Sequence, residues 1–210
     1  GLRRVPSRAG SKTTRVRDRS HDAIIPIAVD PAAARPVERR RPFRVTFLGG
    51  LHWPPNAEAV RWFADRVWPT VSAAAPDAVF TVIGKGSPGR LRDRSRIVVA
   101  GYVPDLQPCL AETAAFVVPL LTGAGMRVKI LDAWCWALPV VSTTVGAEGL
   151  HAVPGENVLM SDEPDAFADH VIRILRDGRE ASRIAQNGRA TVEALYDWQK
   201  VYGAWDRIYR

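Results

Sequence analysis

Short runs of β-branched and aromatic residues alternate with segments of helical periodicity from residue 43 to the end of the chain. Several of the strand-like runs are apolar on both faces, which is typical of parallel strands covered by helices on each side. The sequence therefore predicts an α/β fold, a Rossmann-like parallel sheet with helices on both faces. The predicted strands are 44–48, 78–83, 97–103, 115–120, 139–142 and 158–160, and the predicted helices are 56–75, 105–113, 126–137, 164–176, 180–196 and 200–210.

Proline and aspartate residues mark several of the predicted helix ends. Pro54 and Pro55 come just before the first helix, where proline ends a loop without disrupting helical hydrogen bonds. Pro69 falls inside that helix and is expected to break or kink it, because proline has no N–H to donate. Asp105 is the expected cap of the 105–113 helix.

The net positive charge of the chain comes from its first 41 residues. The whole chain has a net charge of +7, and residues 1–41 contain 11 Lys or Arg against 4 Asp or Glu. The remainder is neutral, so no nucleic-acid partner is expected. We interpret this basic leader as a solvated tail or the edge of a preceding domain, and attraction to anionic lipid or another polyanion is the alternative.

Cysteine and histidine usage indicates neither disulfides nor a metal. Cys109 and Cys135 lie among apolar residues without a CxxC spacing, and the four histidines show no metal-ligand spacing. No apolar run approaches the roughly 20 residues of a membrane span. We expect a cytoplasmic protein, with peripheral contact at the inner membrane face as an open alternative.

The glycine-bearing loops of the predicted sheet are the candidate binding elements, because ligands bind where parallel strands end and helices begin. The loops in question are 49–50, 84–86, 103–105 and 122–126. The last one leads into a helix with Arg127 and Lys129 in its first turn. Cations there oppose the helix dipole unless an anion binds. An anion site is therefore predicted, and glycines that only form turns, or a dinucleotide-binding loop, are the alternatives.

Five motifs, in a fixed order along the chain, distinguish between these interpretations of the glycine loops. They are FLGGLHWPPN (47–56), FTVIG (80–84), GYVPD (101–105), GAGMRVKILDA (123–133) and PVVSTTVGAEGL (139–150). Together they closely resemble the C-terminal domain of retaining glycosyltransferases of family 4, the group-1 glycosyl transferases. The resemblance implies one half of a GT-B fold, which holds a nucleotide diphosphate sugar such as a UDP-sugar or GDP-sugar at the inter-domain cleft.

The resemblance also implies roles for individual residues around the donor. Arg127 and Lys129 would be the catalytic cations that stabilise the leaving diphosphate. Gly125 and Met126 would present N–H groups to the diphosphate or the sugar. Asp132 stands where the family usually has a glutamate that binds the ribose hydroxyls.

The remaining implied contacts involve backbone. Gly84 and the backbone around Val103 would contact the base, and Gly49 and Gly50 would form the glycine loop after the first strand. The donor is a substrate, and neither a cofactor nor a metal is implied. The acceptor, a glycan, lipid or small molecule, would be bound mainly by an N-terminal domain that this chain largely lacks.

The sequence departs from the family pattern at three places. The paired Glu-x7-Glu falls on Ala124 and Asp132, so the first carboxylate is absent and the second is one methylene shorter. The arginine common after the first strand falls on Gly50. Trp134 and Trp136 replace the usual small residues, and we expect them to pack in the core.

The predicted division of the chain is a leader (1–41), a nucleotide-sugar-binding domain (42–198) and a C-terminal helix (199–210) that packs toward the missing domain or onto this one. The aromatic residues at helical spacing near that helix are Trp198, Tyr202, Trp205 and Tyr209. The predicted function is the donor domain of a hexosyltransferase that retains configuration and is inactive as this chain alone. The alternatives are a non-catalytic nucleotide- or partner-binding module and a polyanion-binding protein.

Overall fold

The computed structural model of the chain describes residues 27–37, 43–86, 91, 95–123 and 127–203. Within these ranges, six strands form one parallel sheet. The strands are β1 (Arg44–Leu48), β2 (Val79–Ile83), β3 (Ile97–Gly101), β4 (Thr113–Val118), β5 (Val140–Ser142) and β6 (Leu159–Met160). The helices are α1 (Pro54–Trp62), α2 (Trp68–Ala74), α3 (Gln107–Ala111), α4 (Val128–Cys135), α5 (Thr144–Ala147), α6 (Pro164–Arg176), α7 (Gly178–Leu195) and α8 (Trp198–Tyr202).

The strand order of the sheet is β3-β2-β1-β4-β5-β6. The chain winds outward from β1 to β3, returns to place β4 beside β1, and then winds outward in the other direction. Helices flank the sheet, so the predicted Rossmann-like α/β fold is confirmed. The direction of winding reverses between β1 and β4, and in open α/β sheets the crevice at such a point is where ligands bind.

Aromatic side chains join α6 to the β2 side of the sheet. The ring of Phe63, which follows α1, lies 4.5 Å from that of Phe80 in β2 and 5.9 Å from that of Phe167 in α6. Trp62 meets Phe167 edge-on at 5.6 Å. Such aromatic pairs add about 0.5–1.5 kcal/mol each to the hydrophobic burial. This cluster therefore ties the helical layer to the central strands.

Trp134 is the largest side chain buried between α4 and α7. Its indole is fully buried, and Nε1 donates a hydrogen bond to the carbonyl oxygen of Asn157 at 3.1 Å. A Cβ atom on Gly188 of α7 would lie 2.3 Å from Cδ1 of Trp134. The indole is accommodated because α7 has a glycine at the contact. The expected core packing is confirmed for Trp134, while Trp136 is partly buried against the same core.

The long helix predicted for 56–75 is interrupted. A π-helical turn, Phe63–Val67, separates α1 from α2, and Trp68 N donates to the carbonyl oxygen of Phe63, five residues earlier. Pro69 accounts for the change, because it has no N–H with which to continue the regular pattern. Pro54 and Pro55 lie in the first turn of α1 rather than before it, where their missing N–H groups cost nothing.

Other element ends differ from the prediction for local reasons. β3 stops at Gly101, not 103, because Gly101 has φ +70°. The helix predicted for 105–113 is only α3, although the Asp105 carboxylate accepts from Gln107 N at 3.0 Å. β4 therefore begins at 113 rather than 115. The helix predicted for 126–137 ends at 135, since Ala137 has φ +51°.

The C-terminal helices also differ at their starts. α7 begins at Gly178, two residues early, because the Asp177 carboxylate accepts from Arg179 N and Glu180 N. The short helix α5, which was not predicted, is capped by Thr143. α8 begins at 198 rather than 200, and Trp198 and Tyr202 are exposed on it. Trp205 and Tyr209 lie outside the described residues, so the aromatic stripe stays a prediction.

Residues 27–37 of the predicted leader lie against the domain. Val29 N donates to Tyr196 O and Val29 O accepts from Trp198 N, both at 2.9 Å. Val37 N donates to Trp136 O at 2.9 Å. This segment is therefore attached to both α4 and the α7–α8 junction. No described helix is both long enough and apolar enough to span a membrane.

We predict that Gly188→Ala destabilises the fold by about 1–3 kcal/mol, because its Cβ would force Trp134 or α7 to move. Urea unfolding followed by tryptophan fluorescence measures the loss. Gly178→Ala in the same helix is the matched control, since a Cβ there has no neighbour within 4 Å. Equal free energies of unfolding for the two variants would contradict this prediction, because they would show that α4 and α7 can move apart without loss of stability.

Candidate nucleotide-binding site

Three loops meet at the carboxyl edge of the sheet. Gly49 N donates to Ile83 O at 2.8 Å, and Leu51 N donates to Lys85 O at 2.6 Å. The loop after β2 is joined to the end of β3 in the same way, because Gly84 N donates to Gly101 O at 2.8 Å. The predicted binding loops after β1, β2 and β3 are thus joined by backbone hydrogen bonds.

Gly84 is required by the close approach of two of these loops. It has φ +148°, and a Cβ atom on it would lie 2.2 Å from the carbonyl oxygen of Gly49. Its own N–H is already bonded to Gly101 O. Val103 lies beyond the end of β3, two strands from β1. The predicted base contacts of Gly84 and Val103 remain predictions.

Lys129 extends from the first turn of α4 toward the end of β1. Its ammonium donates to Oδ1 of Asn56 at 2.7 Å and lies 4.5 Å from the centre of the Phe47 ring. A Cβ atom on Gly49 would lie 2.9 Å from Nζ. Burial, and then the charge of Arg127, lower the pKa of Lys129 from 10.5 to about 8. The sequence motif predicts Lys129 at the site, and the structure places its ammonium closer to β1 than the motif indicates.

Asn56 is a site residue to which the sequence analysis gave no role. Its side chain is buried, and Nδ2 donates to Gly50 O at 2.9 Å. The buried residues of α1 are Asn56, Ala59 and Val60. That spacing defines the inner face of the helix. An amide on this otherwise apolar face is the sequence signal that could have identified Asn56 as a site residue.

Arg127 immediately precedes α4 and is buried. Its Nε donates to Val145 O at 3.0 Å, and Nη2 lies 3.8 Å from Oε2 of Glu148. The glycine loop passes over the guanidinium: Gly123 has φ +129°, and a Cβ atom on it would lie 3.3 Å from both Nη atoms. Arg127 thus lies between the loop after β4 and the segment that follows β5, and its predicted role as a catalytic cation stays a prediction.

Two further side chains flank the glycine loop after β4. The Trp53 ring is 40% exposed, and its Cη2 lies 3.5 Å from the position of a Cβ on Gly123. Thr122 Oγ1 donates to Oε2 of Glu58 at 2.9 Å. An aromatic ring and a carboxylate thus border the glycine loop after β4.

For the other predicted site residues, the structure gives fewer contacts. Asp132 lies one turn after Lys129 on α4, and burial raises the pKa of its carboxyl group. Gly50 faces the His52 ring, which a Cβ on Gly50 would contact at 2.3 Å. Gly125 and Met126 lie outside the described residues.

The arrangement is suited to binding an anion. Two cations lie at a helix start beside glycine loops, in the crevice where α/β sheets bind ligands. Within the described ranges, no three His, Cys, Asp or Glu side chains converge as metal ligands, and the expectation of a metal-free site stays a prediction.

Comparison with known proteins identifies relatives of this chain. An uncharacterized 44.6 kDa protein in the cps region of Klebsiella pneumoniae is 28% identical over 171 residues, which are 76% of this chain and 44% of that protein. LpsE of Rhizobium meliloti, a lipopolysaccharide core biosynthesis glycosyltransferase, is 30% identical over 112 residues, which are 52% of this chain and 33% of that protein. The chain spans less than half the length of these relatives.

Solved structures share the fold. The C-terminal domain of LpcC, a group 1 glycosyl transferase of Francisella tularensis, superposes with a TM-score of 0.66 at 19% identity, over 82% of this chain and 100% of that chain. S. aureus TarM, solved with UDP, fondaparinux and α-GlcNAc-glycerol, gives a TM-score of 0.69 at 14% identity, over 84% of this chain and 37% of that chain. The six-stranded sheet is thus that of a GT-B C-terminal domain. The family model for glycosyl transferases group 1 matches residues 42–177, and the chain belongs to this family.

Proposed function

We propose that this chain is the donor-binding domain of a hexosyltransferase that binds a nucleotide diphosphate sugar and transfers the glycosyl group with retention of configuration. One observation carries the proposal: Arg127 and Lys129, at the start of α4, are each held by a hydrogen bond, and each lies next to a glycine of the loops after β4 and β1. A diphosphate is the part of the donor that matches two such cations. The UDP complex of the structurally similar TarM supports a nucleotide diphosphate as the ligand.

Each part of the donor is assigned to residues of this edge. Arg127 and Lys129 bind the diphosphate, with N–H groups of Gly125 and Met126. Asp132 accepts from the ribose hydroxyls, and this requires the carboxylate form.

The nucleotide base is assigned to the loops after β1, β2 and β3, the last of which contains Val103. Gly84 and the backbone at Val103 border it, while Gly49 and Gly50 lie between the base and the diphosphate. Neither a cofactor nor a protein-bound metal is included, because the two cations already balance the diphosphate charge.

The two cations also contribute to the reaction itself. When the bond between the anomeric carbon and the diphosphate oxygen breaks, the electron pair stays on that oxygen. Arg127 and Lys129 stabilise the charge that develops there. The acceptor hydroxyl forms the new bond to the anomeric carbon, and its proton leaves with the nucleoside diphosphate. The total charge is unchanged.

The acceptor is assigned to a second domain outside this chain. The relatives are more than twice as long as the matched region, and a glycan, lipid or small molecule is the proposed acceptor. The name of LpsE supports a role in polysaccharide or glycolipid synthesis. We place the enzyme in the cytoplasm, with peripheral contact at the inner membrane face as the alternative. The chain alone is then expected to bind the donor without transferring its sugar.

We predict saturable binding of one nucleotide diphosphate, and loss of that binding in an Arg127→Ala, Lys129→Ala double variant. Each charge-assisted hydrogen bond to phosphate contributes about 1.5–3 kcal/mol, so the double variant should bind at least about 100-fold more weakly. Calorimetric titration with UDP, GDP, ADP and their sugar conjugates measures the affinities and identifies the base.

An Arg179→Ala, Lys200→Ala double variant is the matched control for that titration. It removes the same net charge from exposed positions at α7 and α8 and should bind like the unmodified chain. If no nucleotide binds to the folded chain, the non-catalytic partner-binding module becomes the better explanation.

We predict that Lys129→Met stabilises the free chain by about 1 kcal/mol at pH 7, because a partly desolvated ammonium is removed. The pKa of Lys129 is lowered to about 8 in the folded chain, from 10.5. The unmodified chain should therefore gain stability as pH rises from about 8 to 10.5, and above that range the advantage of the variant should vanish. Urea unfolding at pH 7, 9 and 10.5 measures this. Lys85→Met, at an exposed lysine, is the control: it keeps Lys129 and should follow the pH dependence of the unmodified chain.

A further inference from the structure

We infer that Asn56 is a positioning residue: its side-chain amide holds the ammonium of Lys129 at the carboxyl end of β1, in place for a diphosphate. The inference rests on the proposed function and adds to it a residue outside the two cations. It is carried by the contacts of Asn56, which connect three separate parts of the site.

Both ends of the Asn56 amide are engaged. Oδ1 accepts from Lys129 Nζ at 2.7 Å, and Nδ2 donates to Gly50 O at 2.9 Å. The side chain is only 5% exposed. Because α1 fixes the amide on one side and the glycine loop fixes it on the other, Oδ1 has little freedom to move. The ammonium of Lys129 is thereby directed to one point.

The other neighbours of the ammonium among the described residues are an aromatic ring and a glycine backbone. The Phe47 ring lies 4.5 Å from Nζ, and Gly49 approaches so closely that a Cβ there would be 2.9 Å from Nζ and 2.7 Å from Nδ2 of Asn56. The titratable side chains on the surrounding elements and loops are Arg44, His52, Glu58, Arg61, Lys85, Arg127, Asp132 and Glu148. Of these, Arg127 acts on Lys129, and its charge disfavours the ammonium.

A neutral acceptor suits this role better than a carboxylate. An amide oxygen accepts a hydrogen bond from the ammonium without cancelling its charge, and an ammonium has three donors, so capacity remains for phosphate oxygens. An aspartate at position 56 would hold Lys129 equally close but would neutralise the charge that an anion needs. An apolar residue would leave the ammonium without this acceptor.

Direct titration of Lys129 tests the inference without any ligand. The chain has only four lysines, Lys12, Lys85, Lys129 and Lys200, so a chain labelled with ¹³Cε-lysine gives few NMR signals. The signal missing from Lys129→Met assigns Lys129. In the unmodified chain its midpoint is expected near pH 8.

Two substitutions at position 56 should move that midpoint in opposite directions. Asn56→Asp, which adds a negative charge beside the ammonium, should raise it by at least about 1 pH unit, and Asn56→Leu, which removes the acceptor at similar volume, should lower it by about 1 pH unit. Asn187→Asp is the control, because Asn187 is exposed on α7 and the same change there should leave the midpoint unchanged. If Asn56→Leu fails to fold, the titration midpoint of Lys129 in Asn56→Asp tests the inference by itself.

A second measurement is the Kd for UDP, GDP or ADP, whichever binds. Both substitutions at position 56 should weaken it about 10-fold or more, and Asn187→Asp should not change it. An unchanged Lys129 midpoint in the position 56 variants, or a shifted midpoint with unchanged nucleotide affinity, would overturn the positioning role. Failure of every nucleotide to bind the unmodified chain, with a midpoint that still shifts, would instead refute the proposed function and leave the Asn56–Lys129 coupling established.

Discussion

The parallel pairing of β1 with β4 is the contact on which the rest of the structure depends. Every backbone group of a buried strand must find a partner within the sheet, so β1 is held by β2 on one side and by β4 on the other. Parallel pairing puts the carboxyl ends of all strands at one edge. The loop after β1 and the loop after β4 therefore leave the sheet side by side, although 73 residues separate Asn56 from Lys129.

The two cations at this edge are held in the same way from opposite sides. Lys129 donates to the amide oxygen of Asn56, and Arg127 donates to the backbone carbonyl of Val145. Carbonyl oxygens orient a cation through their dipoles and leave its charge in place. The carboxylate of Glu148, on a mostly exposed side chain, lies 3.8 Å from Nη2 of Arg127. Burial, and then the charge of Arg127, lower the pKa of Lys129 in the free chain.

Sequence patterns predicted the elements of this fold better than their ends. Strand runs were recognised because β-branched and aromatic residues cluster in them, and α6 was predicted without error at Pro164–Arg176. The errors arose where one residue changes the backbone locally. Pro69 shifted a hydrogen-bond pattern, Gly101 and Ala137 took positive φ angles, and Asp177 capped α7 earlier than periodicity suggested.

The sequence by itself determined the α/β class, the family and the two cations, because these depend on local periodicity and on motifs that can be read along the chain. It also identified Gly49, Gly84 and Gly123 as loop glycines. Only the tertiary structure decided why Gly84 must be glycine, how Gly188 makes room for Trp134, and that Asn56 holds Lys129. Each of these depends on atoms brought together by strand pairing and helix packing from distant parts of the chain, and no local pattern records such distances.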